Sequence, residues 1–146
     1  MYTDNDKEII ITRSEEETEA VGRKLAQSLP LGSSVLLRGN LGAGKTVFSR
    51  GFANGLGITE PVSSPTYTIV QEYDLPSGGR LYHLDLYRIS DVNAALAFGV
   101  DEFLDDPQGL ALIEWPDRIT GILPPDALSI EIEHLSDTER RITICR

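Results

Sequence analysis

The sequence predicts an α/β domain on a mixed parallel and antiparallel central sheet, and three observations carry that prediction. Two continuous apolar runs, "SVLLR" at 34–38 and "GLALIEW" at 109–115, suit strands buried on both faces. Helix-like segments are interleaved with them. The chain then closes on two alternating segments that read as an antiparallel hairpin.

Taken in order, Glu8 to Thr12 reads as a short strand. Ser14 followed by Glu17 is a capping-box signature that opens a helix running to about Ser28. Thr18, Val21, Gly22, Leu25 and Leu29 fall on one face of it at helical spacing. After Pro30 and Gly32 comes the strand "SVLLR", then a glycine-rich loop, then a helix from about Lys45 to Gly55 with Val47, Phe48, Gly51 and Phe52 as its inner stripe. "SSPTYTIVQEYDLPSGGRLYHLDLYRI" reads as two strands joined at "LPSGG". A helical stretch covers about Asp91 to Leu104 with an interruption near Gly99, and "GLALIEW" follows as a central strand. In the last pair, Leu128, Ile130, Ile132, Ile142 and Ile144 point one way, while Glu131, Glu133, Arg141 and Thr143 point the other.

The 146 residues suit one domain, residues 1–146, with no internal repeat or linker. The single cysteine, Cys145, allows no intramolecular disulfide and no multi-cysteine metal site. The acidic, polar start "MYTDNDKEIIITRSEEE" is unlike a signal peptide, and no apolar run is long enough to span a membrane. A cytoplasmic protein is therefore expected. With 13 Lys+Arg against 23 Asp+Glu the net charge is −10, which disfavours autonomous binding to a phosphate backbone. The acidity reads as a solubility surface or as a face that meets a basic partner.

"GNLGAGKT" fits G-x-x-x-x-G-K-[ST], with Gly39, Gly44, Lys45 and Thr46 at the defined positions between a strand and a helix. In such a loop successive N–H groups of Asn40, Leu41, Gly42, Ala43, Gly44, Lys45, Thr46 and Val47 curl into an anion nest at the positive end of the following helix. Lys45 is expected to reach the β- and γ-phosphates, and Thr46 to place its hydroxyl on Mg²⁺. The expected ligand is a nucleoside triphosphate, within a P-loop NTPase-like three-layer domain.

Such a site needs a carboxylate at the end of a buried strand. Glu114 ends "LALIE", and Asp85 lies in "RLYHLDLYR" on the same strand face as Leu81, His83 and Tyr87. Both are candidates for the metal shell, and Asp85 could instead orient the attacking water. His83 reads as a satisfied strand residue and Trp115 as core. The loop "SSPTYT" has the hydroxyl-rich character of a γ-phosphate sensor acting through Thr66.

"GNLGAGKT", "SPTYT", "YHLDLYR" and "LIEW", in that order over nearly the whole chain, resemble the bacterial TsaE/YjeE family, the ATPase of tRNA threonylcarbamoyladenosine (t6A) biosynthesis. The resemblance implies a small ATPase with weak intrinsic hydrolysis. Its implied partners are the threonylcarbamoyl-transferase subunit and that subunit's inactive paralogue, with little direct tRNA binding by this chain alone. It implies ATP and Mg²⁺ as ligands, phosphate and metal roles for Lys45 and Thr46, and activity roles for Asp85 and Glu114. Thr18 and Thr66 match positions near the nucleotide. Asn40 stands where the family often has Asp, which matters little at a position contributing mainly its backbone N–H. A GTPase is disfavoured because the chain has no N-K-x-D motif, and a small-molecule kinase because its arginines are scattered. A nucleotide-dependent interaction module with negligible hydrolysis is the alternative from another class.

Overall fold

The computed structural model describes residues 7–40, 42–62 and 69–146. Its strands are β1 (Lys7–Thr12), β2 (Ser34–Arg38), β3 (Val70–Asp74), β4 (Arg80–Asp85), β5 (Gly109–Glu114), β6 (Leu128–His134) and β7 (Arg140–Cys145). They form one sheet in the order β1-β7-β6-β2-β5-β4-β3. β2 runs parallel to both β5 and β6, and β4 parallel to β5. The β3–β4, β6–β7 and β1–β7 pairs are antiparallel. A parallel centre flanked by antiparallel edges is the mixed sheet that the sequence predicts.

The helices are α1 (Glu15–Ser28), α2 (Lys45–Gly55), α3 (Val92–Ala97) and α4 (Val100–Asp105). The interruption expected near Gly99 separates α3 from α4. Pro116–Ile122, where periodicity predicts no element, forms a 3-10 segment; Pro116 at its first position loses no hydrogen bond there.

Side chains alternate across the sheet and build two cores. Val35, Leu37, Leu81, Leu112, Ile130 and Ile142 pack beneath Leu25 of α1 and Phe48 and Phe52 of α2. Leu36, Tyr82, Leu84, Ala111 and Ile113 face Ala95, Val100 and Ile119 on the other side. Three layers result, helix–sheet–helix. All six residues of β5 and the first four of β2 are buried, as their continuous apolar character requires. Burying the side chain of a Phe or Leu contributes about 1.5–3 kcal/mol, so the fully buried Phe48 and Phe52 fasten α2 to the sheet.

α1 and α2 pack backbone to backbone. A Cβ on Gly51 would lie 2.7 Å from both Cα and C of Glu19, and closer still to its carbonyl oxygen. This approach fixes the position of α2, and with it the loop that α2 follows. Among the described residues, no helix is long and apolar enough to cross a membrane.

Candidate functional site

The parallel register gathers the site. β2, β4 and β5 all end at the same edge of the sheet, and the register sets Leu37 opposite Glu114 and Glu114 opposite Asp85. The loop leaving β2 therefore begins beside Glu114, with Asp85 one strand further on. Crevices beyond the carboxyl ends of parallel strands are where α/β sheets bind ligands, and here a cleft of about 770 Å³ opens. Gly42, Gly44, Lys45, Thr46 and Val47 line it together with Thr18, Asp85 and Glu114. Asn40 and Ala43 instead line an adjoining cleft of about 470 Å³ on the other side of the loop, which Gly42 and Lys45 also border. Leu41 and Thr66 lie outside the described residues.

The two long helices begin in opposite ways. Ser14 caps α1 by accepting the N–H of Glu17, and Glu17 returns its carboxylate to the N–H of Arg13, one residue earlier than in the standard capping box. Glu15, Glu16 and Glu17 also occupy the first turn of α1. α2 has none of this. Its N-cap is Gly44, held at φ 106°, with no side-chain cap bond and no acidic residue in its first turn. That φ lies in the left-handed region that favours glycine. A helix start without a side-chain acceptor leaves N–H donors and a positive partial charge for an anion. An anion such as a phosphate group can be received at this end of α2 for that reason.

Lys45 is only 7% exposed, yet it is a cation. Its Nζ lies 3.9 Å from Glu114 Oε1 and 4.3 Å from the centroid of the Trp115 ring. Burial pushes its pKa below the ordinary value, and the charges of Glu114 and then Asp85 oppose that shift. Buried charges persist only where partners or a ligand compensate them. Glu114, also buried, accepts from the imidazole of His83, whose Nε2 is 2.7 Å from Oε2. Asp85 is half-buried and accepts the Tyr87 N–H at 3.0 Å. Thr46 is exposed on the first turn of α2. Thr18 is buried, its hydroxyl 2.7 Å from that of Thr12.

The donor set suits Mg²⁺ in one respect. No group of three or more His, Cys, Asp or Glu side chains capable of holding a metal occurs among the described residues, whereas Mg²⁺ is commonly held by one or two protein oxygens plus phosphates and water. Thr46, Glu114 and Asp85 border the cleft in a way that can supply those oxygens.

Trp115 and Arg140 are among the cleft residues that sequence did not assign there. Trp115, expected in the core, has φ 58°, an uncommon conformation for a bulky residue. It leaves β5 sharply, and its ring borders both clefts, packing 5.0 Å from Tyr87. Its place directly after Glu114 was the available signal. Arg140, at the start of β7, donates from Nε to the carbonyl of Ala43 at 2.9 Å and from Nη1 to the carbonyls of Ser136 and Glu139. It ties the closing hairpin to the glycine-rich loop and borders the larger cleft.

Comparison with known proteins decides the family. A family model described as "Threonylcarbamoyl adenosine biosynthesis protein TsaE" matches residues 12–142. The chain belongs to the TsaE family. A tRNA threonylcarbamoyladenosine biosynthesis protein TsaE of Bacillus subtilis is 45% identical over 90% of this chain and 81% of its own. The protein of that name from Aquifex aeolicus is 38% identical over 96% of both chains. The crystal structure of Bacillus subtilis YdiB superposes with a TM-score of 0.79 at 40% identity, covering 94% of this chain and 84% of that one. The three-layer P-loop NTPase-like architecture and the TsaE resemblance read from four sequence blocks are thereby established.

Proposed function

We propose that this protein is a Mg²⁺-dependent ATPase of tRNA t6A biosynthesis, slow alone and accelerated by the threonylcarbamoyl-transferase subunit and its inactive paralogue. The observation that carries the reading is the uncapped start of α2 beside a buried Lys45, with Glu114 and Asp85 delivered to the same edge by parallel strands. The relatives' names supply the pathway.

In this reading the N–H groups at the start of α2 receive the phosphate oxygens, and Lys45 neutralises the β- and γ-phosphates. Mg²⁺, when bound, would supply charge neutralisation for the phosphate oxygens. Thr46 would hold the ion through its hydroxyl and Glu114 through its carboxylate. Asp85, steadied by the Tyr87 N–H, orients the attacking water toward the γ-phosphorus. Trp115 covers Lys45 and keeps water from its ammonium, which strengthens each charge interaction there. A net charge of −10 leaves tRNA contact to the partner proteins, and a reducing cytoplasm suits the lone cysteine.

Steady-state ATPase measurement with Mg²⁺, with and without the two partner proteins, tests this. Slow isolated turnover that rises on their addition is expected. Fast turnover indifferent to partners contradicts the accessory role, and nucleotide binding without turnover even in their presence favours a pure interaction module.

A further inference from the structure

His83 is 1% exposed and stands on the sheet face that carries Leu81 and packs beneath α2. The parallel register pairs it with Leu112 and its neighbour Asp85 with Glu114, so the imidazole sits one step behind the two carboxylates. Nε2 reaches Glu114 Oε2 at 2.7 Å, while Nδ1 is buried with no hydrogen-bond partner among the described residues.

The pairing fixes the tautomer. A carboxylate oxygen at that distance accepts a hydrogen from Nε2. A hydrogen on Nδ1 would be a buried donor with nothing to receive it, whereas a bare lone pair there is the cheaper state. Gln71 and Leu112 stand beside it in the flanking strands, and a leucine here would leave the buried Glu114 Oε2 without its donor. What the imidazole adds is its hold on Glu114. That hold divides the carboxylate: Oε2 belongs to His83, and Oε1 is turned to Lys45 at 3.9 Å.

We infer that His83 is a positioning residue that pins Glu114 through Oε2, so that the single oxygen Oε1 is presented to Lys45 and the phosphate end of the cleft. The role rests on the ATPase reading above. Freed of His83, Glu114 would rotate, bind Lys45 through either oxygen and lose its fixed aim. A group that orients a metal-side carboxylate typically affects activity or metal affinity by about 10–100-fold when removed.

The test combines nitrogen-15 spectroscopy of the imidazole in the intact protein with kinetics of His83→Leu and His83→Gln. The amide of Gln reaches about as far as Nε2 and can donate to Glu114. Expected are a ring protonated at Nε2 and bare at Nδ1, and a turnover loss of about 10–100-fold in His83→Leu. Affinity for a non-hydrolysable ATP analogue without metal should stay unchanged, and most turnover should return in His83→Gln. Adding His83→Leu to Glu114→Ala should cost nothing more, since both act along one line. Equal losses in the Leu and Gln variants, or wild-type turnover in His83→Leu, overturn the inference. Should His83→Leu fail to fold, the Gln variant and the spectrum decide, and an Nε2 without a hydrogen overturns it outright. A wild-type protein that hydrolyses no ATP defeats the ATPase reading and is told apart from that failure by the spectrum.

Discussion

Replacing Gly51 by alanine sets two effects against each other. In the interior of an open helix, alanine is more favourable than glycine by about 0.8–1.0 kcal/mol. Gly51 is not in the open. Its Cβ would fall 2.7 Å from Cα and C of Glu19, about 1 Å inside ordinary carbon–carbon contact. The atoms it meets belong to the α1 backbone and cannot swing aside, so the helices must part. Overpacking of this kind costs about 1–3 kcal/mol, and because the approach is so close the upper end applies, leaving about 2 kcal/mol of net destabilisation. For a chain near 150 residues that lowers Tm by about 4–8 °C. The displacement also carries the start of α2 with it, and a misplacement of about 1 Å can cost up to 100-fold in rate. Scanning calorimetry and steady-state ATPase assays of Gly51→Ala read the two consequences. A Tm equal to or above that of the wild type would show that α1 and α2 do not touch through their backbones, and the reasoning would fail.

Four further outcomes are expected. Lys45→Ala should abolish tight binding of an ATP analogue in calorimetry, because it removes the buried cation at the start of α2; unchanged affinity refutes its role. Asp85→Ala and Glu114→Ala should each keep most nucleotide affinity and lose hydrolysis, whereas a large affinity loss in both would make them primary binders. Arg140→Ala removes the bond to the Ala43 carbonyl and should weaken nucleotide affinity about tenfold while the protein stays folded by circular dichroism. Asp106 is held below the ordinary carboxylate range, first by the Tyr82 hydroxyl and then by the Gln108 N–H. A depressed folded pKa means stability present above the unfolded value and lost as pH falls through the folded one. The Tm difference between wild type and Asp106→Ala should therefore be full near neutrality and shrink below about pH 4; a difference that grows on acidification contradicts the assignment.

Much of this was legible because its causes are local. Ser14 and Glu17 close the start of α1 within four residues, and Gly44, Lys45 and Thr46 are set by a strand, a turn and a helix contiguous in sequence. Strand alternation put His83 and Asp85 on one face, and the buried run ending at Glu114 marked β5. What alternation could not supply was the neighbour relation, since the pairing of Asp85 with Glu114 and the reach of His83 to Oε2 depend on β4 lying parallel beside β5. Arg140 meets Ala43 across 97 residues, and an arginine opening an outer strand carries no local mark of that contact. Propensity placed Trp115 against the core, where it does pack; its turn out of β5 is a backbone conformation that a bulky side chain disfavours, so its contact with Lys45 carried no sequence mark.

The central claim is that main-chain amides at the start of α2, with Lys45, hold a triphosphate. Amide chemical-shift mapping with Mg²⁺ and a non-hydrolysable ATP analogue tests it most directly. The account predicts saturable shifts largest at Gly42, Gly44, Lys45, Thr46 and Val47. Shifts absent there, or centred on another part of the surface, would contradict it.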